Sequence, residues 1–111
     1  MDMWRCTVCG FVHDGAEAPD KCPKCGAPKK KFEGIQDDAA QLIKRSRFTN
    51  DLHMKLTSIL KKAEKISDAG IEDNLDPGCM AIFTKTKKHA AELRQMIKAE
   101  LQTHMNKGKW G

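Results

Sequence analysis

Residues 4–32 read WRCTVCGFVHDGAEAPDKCPKCGAPKKKF, and their reading decides the fold of the first third of the chain. Two chelating pairs stand out, Cys6-x2-Cys9 and Cys22-x2-Cys25, each followed at once by a glycine, Gly10 and Gly26. A two-residue spacer lets both sulfurs of one tight turn reach the same ion. The glycine permits the positive-φ backbone that points N–H groups at the ligating sulfurs. Two such turns facing one another make a tetrahedral S4 site, with Cys6, Cys9, Cys22 and Cys25 as the expected metal ligands. No coordination position then stays open, which disfavours water activation or substrate binding at the metal. A segment this short also needs its metal to fold, because domains below about 40 residues rarely bury enough surface unaided. Tetrahedral S4 admits zinc or iron, and the spacing does not choose between them.

The residues around the cysteines carry more information. An aromatic two before the first cysteine (Trp4), Cys-Gly-aromatic at Cys9 to Phe11, the His13-Asp14-Gly15 turn, the Glu17-Ala18-Pro19 approach, Cys-Pro-x-Cys-Gly at Cys22 to Gly26 and the later Phe32 follow one another in order. This stretch resembles the short rubredoxin-like domain of rubrerythrins. The resemblance implies one iron ion cycling between Fe2+ and Fe3+, held by Cys6, Cys9, Cys22 and Cys25 and passing single electrons. It also implies that Trp4, Phe11 and Phe32 pack against the centre and limit water access. Zn2+ in the same cage, as a structural staple of an interaction or adapter module, is the alternative. The rest of the chain departs from the family: rubrerythrins add a four-helix domain with a di-iron site, whose signature is a Glu three residues before a His on inward-facing helices. Here Glu64 leads to Ser67, Glu92 to Gln95 and Glu100 to Thr103, so peroxidase or oxidase activity is not implied. Glu100, His104 and His89 are expected to be ordinary helix residues, and His13, Asp14 and His53 turn or surface residues.

Working outward, residues 1–34 hold three of the four prolines and no helical period, and they read as turns and very short strands. The chain has only six aromatic residues, so cysteines and a metal must stand in for a core there. The formal charge of +5 falls to about +3 or +4 once four thiolates and an ion are counted. That is no nucleic-acid footprint, and the run Lys29, Lys30, Lys31 reads as a solvated face. No window approaches the roughly 20 apolar residues of a membrane span, and MDMWRC lacks the form of a signal peptide. A soluble, cytoplasmic protein is expected, in whose reducing surroundings paired cysteines serve metals rather than disulfides.

From Asp37 on, apolar residues recur at three and four. Leu52, Leu56, Ile59, Ala63 and Ile66 form one stripe; extended back through Ala39, Ala40, Leu42 and Ile43 it reads either as a single long helix or, since Ile43 sits off the later stripe, as two pieces with a break at Arg47-Phe48-Thr49-Asn50. Asp76 is placed to cap a second helix opening at Pro77. That helix carries Cys79, Ile82, Phe83, Thr86, Ala90, Leu93, Ile97, Leu101 and His104 on its stripe to about Met105. Cys79 lies on the stripe and reads as a buried, inert cysteine; at the third helical position it could instead be an activated thiol. The sequence thus predicts a metal-bound β/turn domain, residues 1–35, followed by an all-α antiparallel hairpin, residues 36–111. A two-helix hairpin cannot enclose a core alone, which predicts a homodimer forming a four-helix bundle. The function expected is electron transfer to or from a redox partner protein, not enzymatic catalysis.

Overall fold

The computed structural model describes all 111 residues. Three short strands, β1 (Met3–Cys6), β2 (Val12–Asp14) and β3 (Phe32–Gly34), precede two helices, α1 (Asp37–Asp73) and α2 (Pro77–Asn106), and a single 3-10 turn, Lys29–Lys31, leads into β3. The sheet is antiparallel in the order β2-β1-β3, with Trp4 opposite His13 on one side and Cys6 opposite Phe32 on the other. The chain divides into two compact units, one made of residues 1–47 with 107–111 and the other of residues 48–106.

The first unit has two small buried clusters. Met3, Ile35, Ala40 and Ile43, with Val12 against them, join the sheet to the first turns of α1. Cys6, Ala18, Cys22 and Phe32 form the other, with Trp4, Cys9, Phe11 and Ala27 around it. Arg47 fastens this unit by donating from its Nη1 and Nη2 to both oxygens of Asp14, at 2.6 and 2.9 Å, and from its Nε to the carbonyl of Gly111. The guanidinium hydrogen-bonded to Asp14 holds that carboxyl below the usual carboxylate range.

The second unit is the hairpin. At about 1.5 Å per residue α1 runs ~55 Å and α2 ~45 Å. Of the two readings, the single long helix is the one found, since α1 is continuous from Asp37 to Asp73 with no break at residues 47–50. The restart is as expected: Asp76 Oδ1 accepts the Cys79 amide at 2.7 Å, and the Asp76 carbonyl accepts the Met80 amide. Pairs across the hairpin match Asn50 to His104, Glu64 to Arg94, Asp68 to Lys87 and Gly70 to Phe83, which is an antiparallel register.

The face that α1 turns to α2 is polar, and the aliphatic stripe lies outside the seam. Asn50 and Ser67 are buried in the seam, and His53, Thr57 and Glu64 are half-buried, whereas Leu52, Leu56, Ile59 and Ile66 are 45–66% exposed. Small and polar residues let the helices approach and pair, as in the 2.7 Å Glu64–Arg94 bridge, and the large aliphatics are left facing outward. His53, expected at the surface, stands edge-on to His104, their ring centroids 6.4 Å apart.

Two expectations follow. At Gly70 an added Cβ would run into the Phe83 ring, so Gly70→Ala sets an overpacking cost of about 1–3 kcal/mol against a helix-propensity gain of about 1 kcal/mol; a urea titration should show net destabilisation. Asp14→Asn should cost under about 1 kcal/mol at neutral pH, the scale of a half-exposed pair. Because Asp14's carboxyl is held low in the fold, its contribution is present above the unfolded carboxylate range and lost as pH falls through the folded value. The difference between variant and parent should therefore begin to shrink below about pH 4 and vanish only in stronger acid, below the folded value.

Candidate metal centre

The two cysteine turns are built alike. In the first, the Gly10 amide donates to the Cys6 carbonyl at 2.9 Å and the Cys6 amide to the Phe11 carbonyl at 2.8 Å. In the second, Gly26 donates to Cys22 at 2.9 Å and Cys22 to Ala27 at 2.8 Å. Gly10 and Gly26 have φ of +82° and +76°, the left-handed backbone that side chains resist. Their positive φ is as expected, and their own amides go to the Cys6 and Cys22 carbonyls. Amides beside them meet the sulfurs instead: Val8 and Cys9 donate to Cys6 Sγ, Lys24 and Cys25 to Cys22 Sγ, and Ala27 to Cys25 Sγ.

The sheet brings the turns face to face, and all four Sγ atoms lie within 4.8 Å of one another. Cys6 Sγ is 3.7 Å from Cys25 Sγ, and Cys9 Sγ is 3.6 Å from Cys22 Sγ. A tetrahedral ion with metal–sulfur bonds of about 2.3 Å requires sulfurs ~3.8 Å apart, whereas a disulfide requires about 2.05 Å. The spacing fits the ion, and the cluster is able to coordinate a single metal. Among the His, Cys, Asp and Glu side chains it is the one group that converges closely enough to do so.

The thiols respond to their crowding. Burial pushes Cys22 up, but the Cys25 and Lys24 amides, with the neighbouring thiols, outweigh it and bring Cys22 down to about 7. Cys6 is lowered for the same reasons. For Cys25 the Ala27 amide pulls down, but desolvation and the three other sulfurs raise it to about 12. Four thiolates cannot share this space without a cation, and a cation is what the cluster is shaped to take.

Around the sulfurs, Phe32 is buried and Trp4 and Phe11 half-buried, with Trp4 Nε1 donating to the Gly15 carbonyl at 3.1 Å. Cys6 and Cys22 are buried, Cys9 is intermediate and Cys25 is exposed, so the centre has one edge at the surface. Thr7, unremarked in the sequence, donates from both its amide and its hydroxyl to the Lys31 carbonyl and ties the lysine turn to the first knuckle. Ala18 packs inside the cluster; its place in the Glu-Ala-Pro approach was the available signal. Cys79 lies outside the site and is half-buried rather than buried, and the Asp76 carboxylate hydrogen-bonded to its thiol raises it, opposite to an activated thiol.

Residues 4–33 match the family model described as "Rubrerythrin, rubredoxin-like domain". The "Rubredoxin-1" of Alcanivorax borkumensis is 36% identical over 53 residues, covering 32% of this chain and 98% of that protein. The chain belongs to the rubredoxin-like family. The "Reverse rubrerythrin-1" of Clostridium acetobutylicum is 47% identical over 38 residues, 34% of this chain and 21% of that protein. The "Rubrerythrin" of Nitratidesulfovibrio vulgaris is 57% identical over 30 residues, 27% and 16% of the two chains. The chain thus spans only about a fifth or less of the rubrerythrins it matches, and the rubredoxin-like domain is followed here by two helices without a second metal site. No solved structure matches.

The open space around a Cβ at Gly26 isolates the backbone strain of the second knuckle. Alanine in the left-handed region costs about 1–2 kcal/mol. Where folding and metal binding are coupled, Gly26→Ala should weaken metal affinity roughly 5- to 30-fold in a chelator competition, and Gly26→Asn, which tolerates that region, should recover part of it.

Proposed function

We propose that this chain is a small one-electron carrier whose Cys6, Cys9, Cys22 and Cys25 hold one iron ion, and whose helical region joins two copies. The carrying observation is the sulfur spacing of 3.6–3.7 Å within a rubredoxin-like frame. Bound iron supplies one-electron chemistry without opening a coordination position. The residues contribute geometry and exclusion: rigid knuckles keep the ligand positions the same in both oxidation states, amides from Val8, Cys9, Lys24, Cys25 and Ala27 offset thiolate charge, and Phe32, Trp4 and Phe11 limit water. Residues 1–35 are the carrier domain in this reading, residues 36–111 the hairpin, and the cytoplasm its place of work. No helix is long and apolar enough to cross a membrane.

Dimerisation draws support from what the hairpin leaves outside. Leu52, Leu56, Ile59 and Ile66 of α1 and Ile82, Leu93 and Met96 of α2 are exposed, and Leu60, Ala63, Ile82, Ala90 and Leu93 line a groove of about 400 Å³ between the helices. A symmetric second copy offers the same face in return and completes four helices around one core. Completing the burial of those seven half-exposed side chains on both copies, at roughly 1 kcal/mol apiece, competes with an association cost of about 4–15 kcal/mol.

Protein purified aerobically from iron-replete cells should be coloured, contain one iron per chain and bleach reversibly with a reductant. Colourless protein holding one zinc and no iron would instead make the cage a structural staple and the chain an adapter module. Light scattering should give twice the chain mass of 12.4 kDa, and Ile59→Lys should halve it; a monomeric parent would overturn the dimer.

A further inference from the structure

The lysines of the metal domain are concentrated at the exposed edge of the centre. From Lys21 to Lys31 the chain carries five lysines and no carboxylate, and the first knuckle, Cys6 to Gly10, carries no charged side chain. All five lysines are exposed. The fold fixes their backbone in place. Thr7 bonds the Lys29–Lys31 turn to the first knuckle, while the Lys29 amide donates to the Asp20 carbonyl and the Lys21–Pro28 bridge ties the turn to the second. At the knuckle tips Val8 and Pro23 are exposed, and each has a lysine-bearing segment beside it: Lys24 follows Pro23, and the Lys31 carbonyl is bonded by Thr7, the neighbour of Val8, so apolar tips and positive charge share these turns as in a protein docking patch.

The alternative role for these lysines is to balance the centre's own charge. Four thiolates leave about −1 with a trivalent ion and −2 with a divalent one, so five lysines alone overshoot by about +3 to +4, and by about +1 to +2 once Glu17 and Asp20 are counted. Glu17 and Asp20 lie on the loop leading in, and Glu17 meets Lys29 at 3.4 Å in an exposed pair, which screens one lysine weakly. Lys21, Lys24, Lys30 and Lys31 make no ion pair. The excess sits beside the exposed Cys25, where a docked surface would come nearest the ion.

We propose that the two knuckles and the Lys29–Lys31 turn form the docking face for a partner protein with an acidic surface. This rests on the electron-carrier reading and names the partner's chemistry. Association is steered by the five lysines and falls with ionic strength, on the order of 10- to 1000-fold in rate for such charged faces.

The test uses the full chain loaded with zinc, whose tetrathiolate site has the charge of the ferrous one, labelled for amide NMR and titrated with a decaglutamate peptide. Shifts confined to residues 7–10, 21–26 and 29–31, lost at high salt and at least tenfold weaker in affinity for Lys24→Glu/Lys30→Glu, are the expected result. Shifts spread over Lys55, Lys61, Lys62 and Lys65 of α1, or tighter binding of a short DNA duplex than of the peptide at the same face, would overturn it. Metal analysis of the natively purified chain keeps the two readings apart: zinc alone there sinks the carrier even where the peptide maps to the knuckles, and redox-active iron leaves the carrier standing where the peptide does not bind.

Discussion

Four thiols have to converge on one point, and the first unit is organised by that demand. Its buried residues are few, Met3, Ile35, Ala40 and Ile43 on one side and Cys6, Ala18, Cys22 and Phe32 on the other, and two of the latter are the sulfur bearers themselves. The apolar surface available to three strands of three or four residues cannot hold a loop-rich segment together. The sulfur spacing can do so with an ion, and it explains the surrounding features: the duplicated turns, the two left-handed glycines, and the amides aimed at Cys6, Cys22 and Cys25. The strain of the turns and the crowding of the thiols are offset by the same cation.

The hairpin follows the opposite logic. Its seam joins small and polar groups: Asn50 with His104, Glu64 with Arg94, and Gly70 beneath Phe83. Directional bonds fix the register there, while the non-directional apolar area is carried on another face. In the proposed four-helix dimer each helix would have two neighbours and two buried faces, and each helix here presents apolar side chains to solvent. The four-cysteine centre and the exposed apolar face are thus carried on separate stretches of the chain.

Much of the first unit was legible in the sequence because its physics is local. A two-residue spacer and a following glycine determine a chelating turn wherever they occur, and the run from Trp4 to Phe32 adds the aromatic packing. The destination of the glycine amides was not legible, since Gly10 and Gly26 serve the Cys6 and Cys22 carbonyls and their neighbours serve sulfur. In the second unit periodicity located both helices, the Asp76 cap and the apolar stripe of α1, but not the polar face that α1 turns to α2. Apolar spacing reports which residues seek burial, not which partner buries them. Leu52, Leu56, Ile59 and Ile66 share a stripe whether the neighbour is α2 or another chain. Thr7 and Arg47 were silent for a related reason: their bonds reach Lys31, Asp14 and Gly111, far away in the chain.

The central claim is that this cage exchanges single electrons through a metal held only by thiolates. Voltammetry of the iron-loaded full chain measures it directly. One reversible one-electron wave is predicted, with a midpoint independent of pH around neutrality, because neither state needs a proton, and with the wave abolished in Cys6→Ser. Iron-loaded protein that gives no wave, or a wave unchanged in Cys6→Ser, would contradict it.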